Sequence, residues 1–125
     1  MIKFAKSHEW IRVEGEPAPG AVATIGVSAY AVEALTDLVF MQLPEVGAQV
    51  TAGESFGEIE SVKAVSDLYA PCSGEVLEVH TELPDNLDLL GQDPYGEGWI
   101  VQIKVADTSA FDQLLTADQY AELIG

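Results

Sequence analysis

The stretch Glu60-Ser61-Val62-Lys63-Ala64-Val65-Ser66-Asp67 limits the folds open to this chain more than any other. Before it runs Ser55-Phe56-Gly57-Glu58-Ile59, and after it Leu68-Tyr69-Ala70-Pro71. Both flanks alternate roughly and are rich in β-branched or aromatic residues, so each reads as a short strand. Val62-Lys63-Ala64 then becomes the turn of a hairpin. The turn holds no Gly or Asn, so a type I geometry is expected rather than a primed two-residue turn. A hairpin tip holds its central side chain away from the body of a protein, so Lys63 is expected to stand in solvent, presented to something larger. A lone exposed lysine is usually no more than a solubilising group. Here its immediate neighbours are apolar, in a chain with 5 Lys and Arg against 21 Asp and Glu. Solubility does not require a cation at that spot, whereas addressable presentation of an amine does.

The formal net charge of −16 argues against nucleic acid or an anionic membrane as partner, since both are polyanions. It fits basic partners. With 125 residues, 48% of them hydrophobic, the chain suits one ordered domain, residues 1–125, with a modest core that needs neither disulfide nor metal. Cys72 is the one cysteine, so an internal disulfide and a thiolate metal cluster are both impossible. Its small neighbours after Pro71 mark it as core filler. The start, Met1-Ile2-Lys3-Phe4, carries no signal-peptide or transit pattern, and no apolar run reaches membrane-spanning length. A reducing cytosol is the expected compartment.

Phe4 to Val13 alternates imperfectly and suggests one N-terminal strand with Trp10 and Ile11 as packing residues. On such a strand His8 and Glu9 face opposite sides and cannot act as a local pair; His8 is expected to be a surface or hydrogen-bonded histidine. Glu14 to Gly20, with two prolines and two glycines, reads as a loop, and Ala21 to Gly26 as a strand. Ser28 caps a short helix over Ala29 to Leu35. Leu38 to Leu43 is an apolar strand turned by Pro44 to Gly47. Two similar turn-strand segments, Val46 to Glu54 and Pro71 to Val79, bracket the central hairpin. Leu83 to Gln92 is a polar loop with helical character, and Trp99 to Val105 an alternating strand. In the tail, about 107–125, Asp107-Thr108-Ser109 and Thr116 offer caps for helical segments packed on a β body. The fold class is therefore mainly β, a sandwich or flattened barrel with short peripheral helices.

No Gly-x-Ser-x-Gly elbow, Walker loop, His-Glu-x-x-His or Cys-x-x-Cys is present, and the two histidines lie far apart in sequence. The chain is expected not to be an enzyme by itself.

Glu60-Ser61-Val62-Lys63-Ala64 followed by Ser66-Asp67 and Pro71 resembles the lipoyl-attachment segment of the glycine cleavage system H proteins. The resemblance extends along nearly the whole chain, through His8-Glu9-Trp10, Val39-Phe40, Leu43-Pro44-Glu45-Val46-Gly47, Gly53-Glu54, Ser73-Gly74-Glu75-Val76 and Asp93-Pro94-Tyr95-Gly96-Glu97-Gly98-Trp99. It implies a lipoyl/biotinyl-carrier-like barrel-sandwich hybrid with lipoic acid in amide linkage on Lys63. It also implies a carrier that takes an aminomethyl group from a pyridoxal-phosphate-dependent glycine decarboxylase (P protein) to a tetrahydrofolate aminomethyltransferase (T protein). Dihydrolipoamide dehydrogenase (L protein) then reoxidises the arm, and a lipoate-attaching enzyme loads it in the first place. The matched His8-Glu9-Trp10 segment points to Glu9 as a group that shelters the loaded arm; its competing role is a solvated strand acid. Glu58, Glu60, Ser61 and Asp67 are candidates for arm protection or partner recognition.

Other readings remain beside this one. Val62 and Ala64 disfavour a biotinyl carrier, whose lysine typically lies between methionines. A lipoyl domain of a 2-oxoacid dehydrogenase is normally one module of a longer chain with mobile linkers. An H-like lipoyl donor that relays lipoate to other acceptor proteins is the nearest alternative, and a purely structural acidic adaptor the most distant.

Overall fold

The computed structural model describes residues 1–125. Its elements are β1 (Ile2–Phe4), β2 (Glu9–Val13), β3 (Val22–Val27), α1 (Ala29–Leu35), β4 (Leu38–Gln42), β5 (Gln49–Val50), β6 (Ser55–Ser61), β7 (Val65–Tyr69), β8 (Ser73–Val79), α2 (Asp88–Gln92), β9 (Val101–Asp107) and α3 (Ala117–Ile124). Two 3-10 turns, Leu83–Asp85 and Ser109–Gln113, complete it. The strands form a six-stranded sheet in the order β1-β2-β3-β9-β8-β5 and a three-stranded sheet in the order β4-β6-β7. Every pairing is antiparallel.

Ile11 and Ile25 of the larger sheet share one core with Met41, Ile59 and Leu68 of the smaller. Cys72 is fully buried there, and burial, with the charge of Asp107 beside it, pushes its thiol up to about 12. It is inert filler, as its sequence context suggested. Leu83 and Leu90, in the expected polar loop, are also fully buried. The 3-10 turn and α2 follow from the need to bury those two side chains while still satisfying the backbone around them.

The expected single strand from Phe4 to Val13 is two strands. A turn over Ala5–His8 separates them, closed by Ala5 N–H to Glu9 O at 2.8 Å and His8 N–H to Ala5 O at 2.9 Å. His8 takes a left-handed φ of 81°. Histidine enters that region at some steric cost, and no Gly or Asn announces the turn.

The two similar segments that bracket the hairpin pair with each other, Gln49 opposite Glu75 and Val50 opposite Gly74. Gly53 N–H bonds Ala70 O at 2.9 Å and Ala70 N–H bonds Glu54 O at 3.0 Å, which clamps the base of the β6–β7 hairpin.

Both helix caps behave as their residue types require. Ser28 Oγ accepts from Ala31 N at the start of α1, and Thr116 with Gln119 forms a reciprocal capping box on α3. An aromatic cluster pins α3 to the sheet edge. Phe4 stacks on Tyr120 with centroids 4.4 Å apart, and Phe4 exchanges two 2.8 Å backbone bonds with Leu115.

Trp10 is fully buried, and its indole N–H donates to Val27 O at 3.1 Å and Pro94 O at 3.0 Å. The opposing strand leaves room for the ring only because Gly26 has no side chain. A Cβ there would lie 2.5 Å from Trp10 Cζ2. Gly26→Ala should therefore lower stability by about 1–3 kcal/mol, the usual cost of overpacking. A denaturation midpoint equal to wild type would show that the indole has room to shift.

Candidate functional site

The β6–β7 hairpin is held by five register pairs, Ser55 opposite Tyr69 at its base and Glu60 opposite Val65 near its tip. At the tip, Ser61 N–H donates to Ala64 O at 2.8 Å. The Ser61 hydroxyl lies inside the turn and accepts from Lys63 N at 3.3 Å and Ala64 N at 3.1 Å. Its oxygen does the work that a backbone carbonyl performs in an ordinary β-turn. No residue of the turn has a positive φ, so a primed turn is absent, as the lack of Gly and Asn implied. Ser61 is buried, and its contacts make it the organiser of the turn. Lys63 is exposed, between exposed Val62 and Ala64.

Glu58 and Glu60 point outward from β6, and Asp67 from β7 opposite Glu58. Asp67 is exposed and is approached at 3.4 Å by both Ser55 Oγ and Tyr69 Oη. These three acids lie on the two strands of the hairpin beneath the tip, and Glu9 lies on β2 of the larger sheet.

Glu9 is not a solvated strand acid. Only 2% of it is exposed, and its carboxylate accepts from Ser7 Oγ and from Tyr69 N at 3.1 Å. The second bond crosses from the larger sheet to the smaller. Burial lifts the Glu9 carboxyl above the ordinary range, and the bonds from Ser7 and Tyr69 only partly oppose that.

Beside it opens a cavity of about 330 Å³ lined by Ser7, His8, Glu9, Tyr30, Ile59 and Asp67 among others. His8 and Glu9 share this wall. The expectation that they face opposite sides fails because His8 lies in the turn and not on the strand. His8 Nδ1 meets Tyr120 Oη at 2.7 Å, and Ser28 Oγ meets the same phenol at 2.6 Å. Ser28 Oγ also accepts from Ala31 N–H, so the start of α1, the Ser7-His8 turn and α3 share one chain of hydrogen bonds. A neutral His8 fills its bond to Tyr120 from either tautomer, accepting from the phenol or donating to it. Desolvation favours that neutral form and lowers the His8 pKa. Sequence reasoning missed Ser7, Tyr30 and Tyr120. The Ser7-His8-Glu9 run was the one local signal, and Tyr120 lies 112 residues from His8, beyond any local pattern.

An open barrel-sandwich that exposes one lysine at a clamped hairpin tip, with a sheltered acidic pocket below, has the build of a carrier fold. The comparisons agree. The family described as Glycine cleavage H-protein matches residues 2–125. The glycine cleavage system H protein of Staphylococcus epidermidis is 46% identical over 124 residues, covering 99% of this chain and 94% of that protein. That of Gloeothece citriformis is 51% identical over 120 residues, covering 95% and 88%. The crystal structure of a glycine cleavage system H protein from Mycobacterium marinum superposes with a TM-score of 0.84 at 46% identity, covering 97% of this chain and 94% of that one. The chain belongs to the glycine cleavage H-protein family.

A carboxyl whose folded pKa is raised contributes stability that is fully present below its unfolded pKa and lost as pH rises through the folded value. The raised pKa of Glu9 therefore costs stability at neutral pH. Glu9→Gln keeps the shape and stays neutral, so its stability relative to wild type should increase as pH rises from about 4 to about 8. Denaturation curves across that range check this, and a pH-independent difference would contradict it.

Proposed function

We propose that residues 1–125 form one lipoyl-carrier domain, with 107–125 as its helical extension, and that the domain serves the glycine cleavage system without being an enzyme. Lys63 is the attachment residue. The observation that carries this reading is the tip itself: an exposed amine on a turn built from Ser61, at the end of a hairpin clamped at its base. Lipoic acid in amide linkage there would supply a cyclic disulfide on a long arm, which accepts and releases a one-carbon amine. The partners are the pyridoxal-phosphate-dependent glycine decarboxylase, the aminomethyltransferase, dihydrolipoamide dehydrogenase and a lipoate-attaching enzyme, in the cytoplasm. A chain of net charge −16 suits neither nucleic acid nor an anionic membrane, and no helix is long and apolar enough to cross a membrane.

The chain's own residues divide the labour. Ser61 fixes the turn so that the amine stands clear. Glu58, Glu60 and Asp67 give the face below the tip a negative charge that steers basic partners. Glu9, ionised, accepts a charge-assisted hydrogen bond from a cationic nitrogen brought into the pocket, about twice as strong as a neutral one. Ile59 and Leu68 exclude water from the same space.

Lys63→Arg should leave the fold intact, since an exposed turn position contributes little stability, and should abolish the mass increment of lipoylation. Intact-mass measurement with peptide mapping decides this. Lipoate found on Lys3, Lys6 or Lys104 instead would overturn it. If the acids steer docking, association with a partner enzyme should slow as salt rises, because the Debye length falls from ~10 Å at ~0.1 M to ~3 Å at ~1 M. Association rates indifferent to salt would remove Glu58, Glu60 and Asp67 from recognition.

A further inference from the structure

Phe40, Glu60 and Val65 form one row across the three-stranded sheet, Phe40 opposite Glu60 and Glu60 opposite Val65. Directly opposed residues of antiparallel strands share a face, and here it is the outer one. Phe40 is 47% exposed and Val65 61%. A register shift between Leu38 and Phe40 adds Val39 to this exposed edge at 56%, and Val62 stands at the tip at 72%. Bulges re-aim side chains in this way. The exposed row beneath Lys63 thus runs apolar, acidic, apolar across the three strands, with Val39 and Val62 beside it. At about 4.8 Å between strands it is roughly 10 Å wide. Exposed apolar side chains scattered singly need no explanation, but four gathered about one acid beside the tip mark an interaction site.

We infer that this row is the docking platform for the enzyme that first acylates Lys63, and that this enzyme meets it with apolar side chains on either side of a cation. The inference rests on Lys63 being the acylation site. Its partner follows from reach. An enzyme that modifies the bare amine must bring its reacting atoms to Nζ itself and so must press against the tip and the strands beneath. Partners that act on the far end of an attached arm stand further off. Charge fixes the rest of the partner's chemistry. Between residues 38 and 69 Lys63 is the only basic residue, against five acids, and Glu60 sits in the middle of the row. A second copy of a chain with net charge −16 is repelled from the same face.

The test uses full-length unlipoylated protein, a purified lipoate-attaching enzyme, free lipoate and ATP. Wild type is compared with Phe40→Ser, Val65→Thr and the double variant. Val46→Thr, an exposed valine outside this sheet, serves as control. Loss of a central apolar anchor should raise KM for the double variant by about tenfold, with kcat within about twofold and the control unchanged. Thermal midpoints are taken for each. Should Phe40→Ser lower its midpoint, Val65→Thr, similar in size and β propensity, decides alone by a rise in KM of about threefold. Acylation of both row variants with wild-type KM overturns the platform, even if they dock poorly on the decarboxylase. So does sedimentation showing a wild-type dimer that the variants dissolve while acylation is unchanged. Wild type left unmodified at Lys63 would instead remove the proposed function, and the platform with it.

Discussion

The carboxylate of Glu9 ties the two sheets together at the place where the hairpin needs support. A buried charge without partners costs several kcal/mol, so its position requires donors from both sides. Ser7 supplies one from the turn before β2, and Tyr69 supplies the other from the end of β7. Neither donor is available unless the other elements are in place. The turn must place His8 at φ 81°, and the hairpin base must be closed by Gly53, Glu54 and Ala70. The small sheet is thereby held against the large one beside the cavity and not merely packed on it.

This arrangement gives one hairpin two chemical ends. At the tip, where Ser61 fills the turn with its own hydroxyl, an amine stands in solvent next to apolar neighbours. Lower down, the inner face of the same strands contributes Ile59 and Leu68 to a pocket whose polar wall is Ser7, His8 and Glu9. The outer face carries acids and the exposed apolar side chains. The exposed amine, the charged outer face and the pocket thus occupy three separate parts of one hairpin. The C-terminal helix takes part through Tyr120, whose phenol holds His8 in place while the ring stacks on Phe4.

Most elements were legible in the sequence because their signals are local. Ser28 and Thr116 announce their helices by cap chemistry, Trp10 and Ile11 their burial by composition, and the tip its geometry by the absence of Gly and Asn. What escaped was long-range. The split of β1 from β2 depends on a left-handed histidine that no residue type announces. The burial of Glu9 depends on an amide 60 residues away. Leu38 to Leu43 reads as one apolar strand, yet Val39 and Phe40 are both exposed, beside a register shift. In each case a tertiary contact or a local irregularity overrode the pattern that alternation alone would set.

The most direct measurement is an NMR titration of the Glu9 side-chain carboxyl carbon, followed together with the Tyr69 amide proton. If the buried carboxylate joins the sheets, the Tyr69 amide shifts with the midpoint of Glu9 as its acceptor gains a proton, and burial holds that midpoint above the ordinary carboxylate range. A Glu9 that titrates at the ordinary value, with a Tyr69 amide that does not respond, would contradict the account.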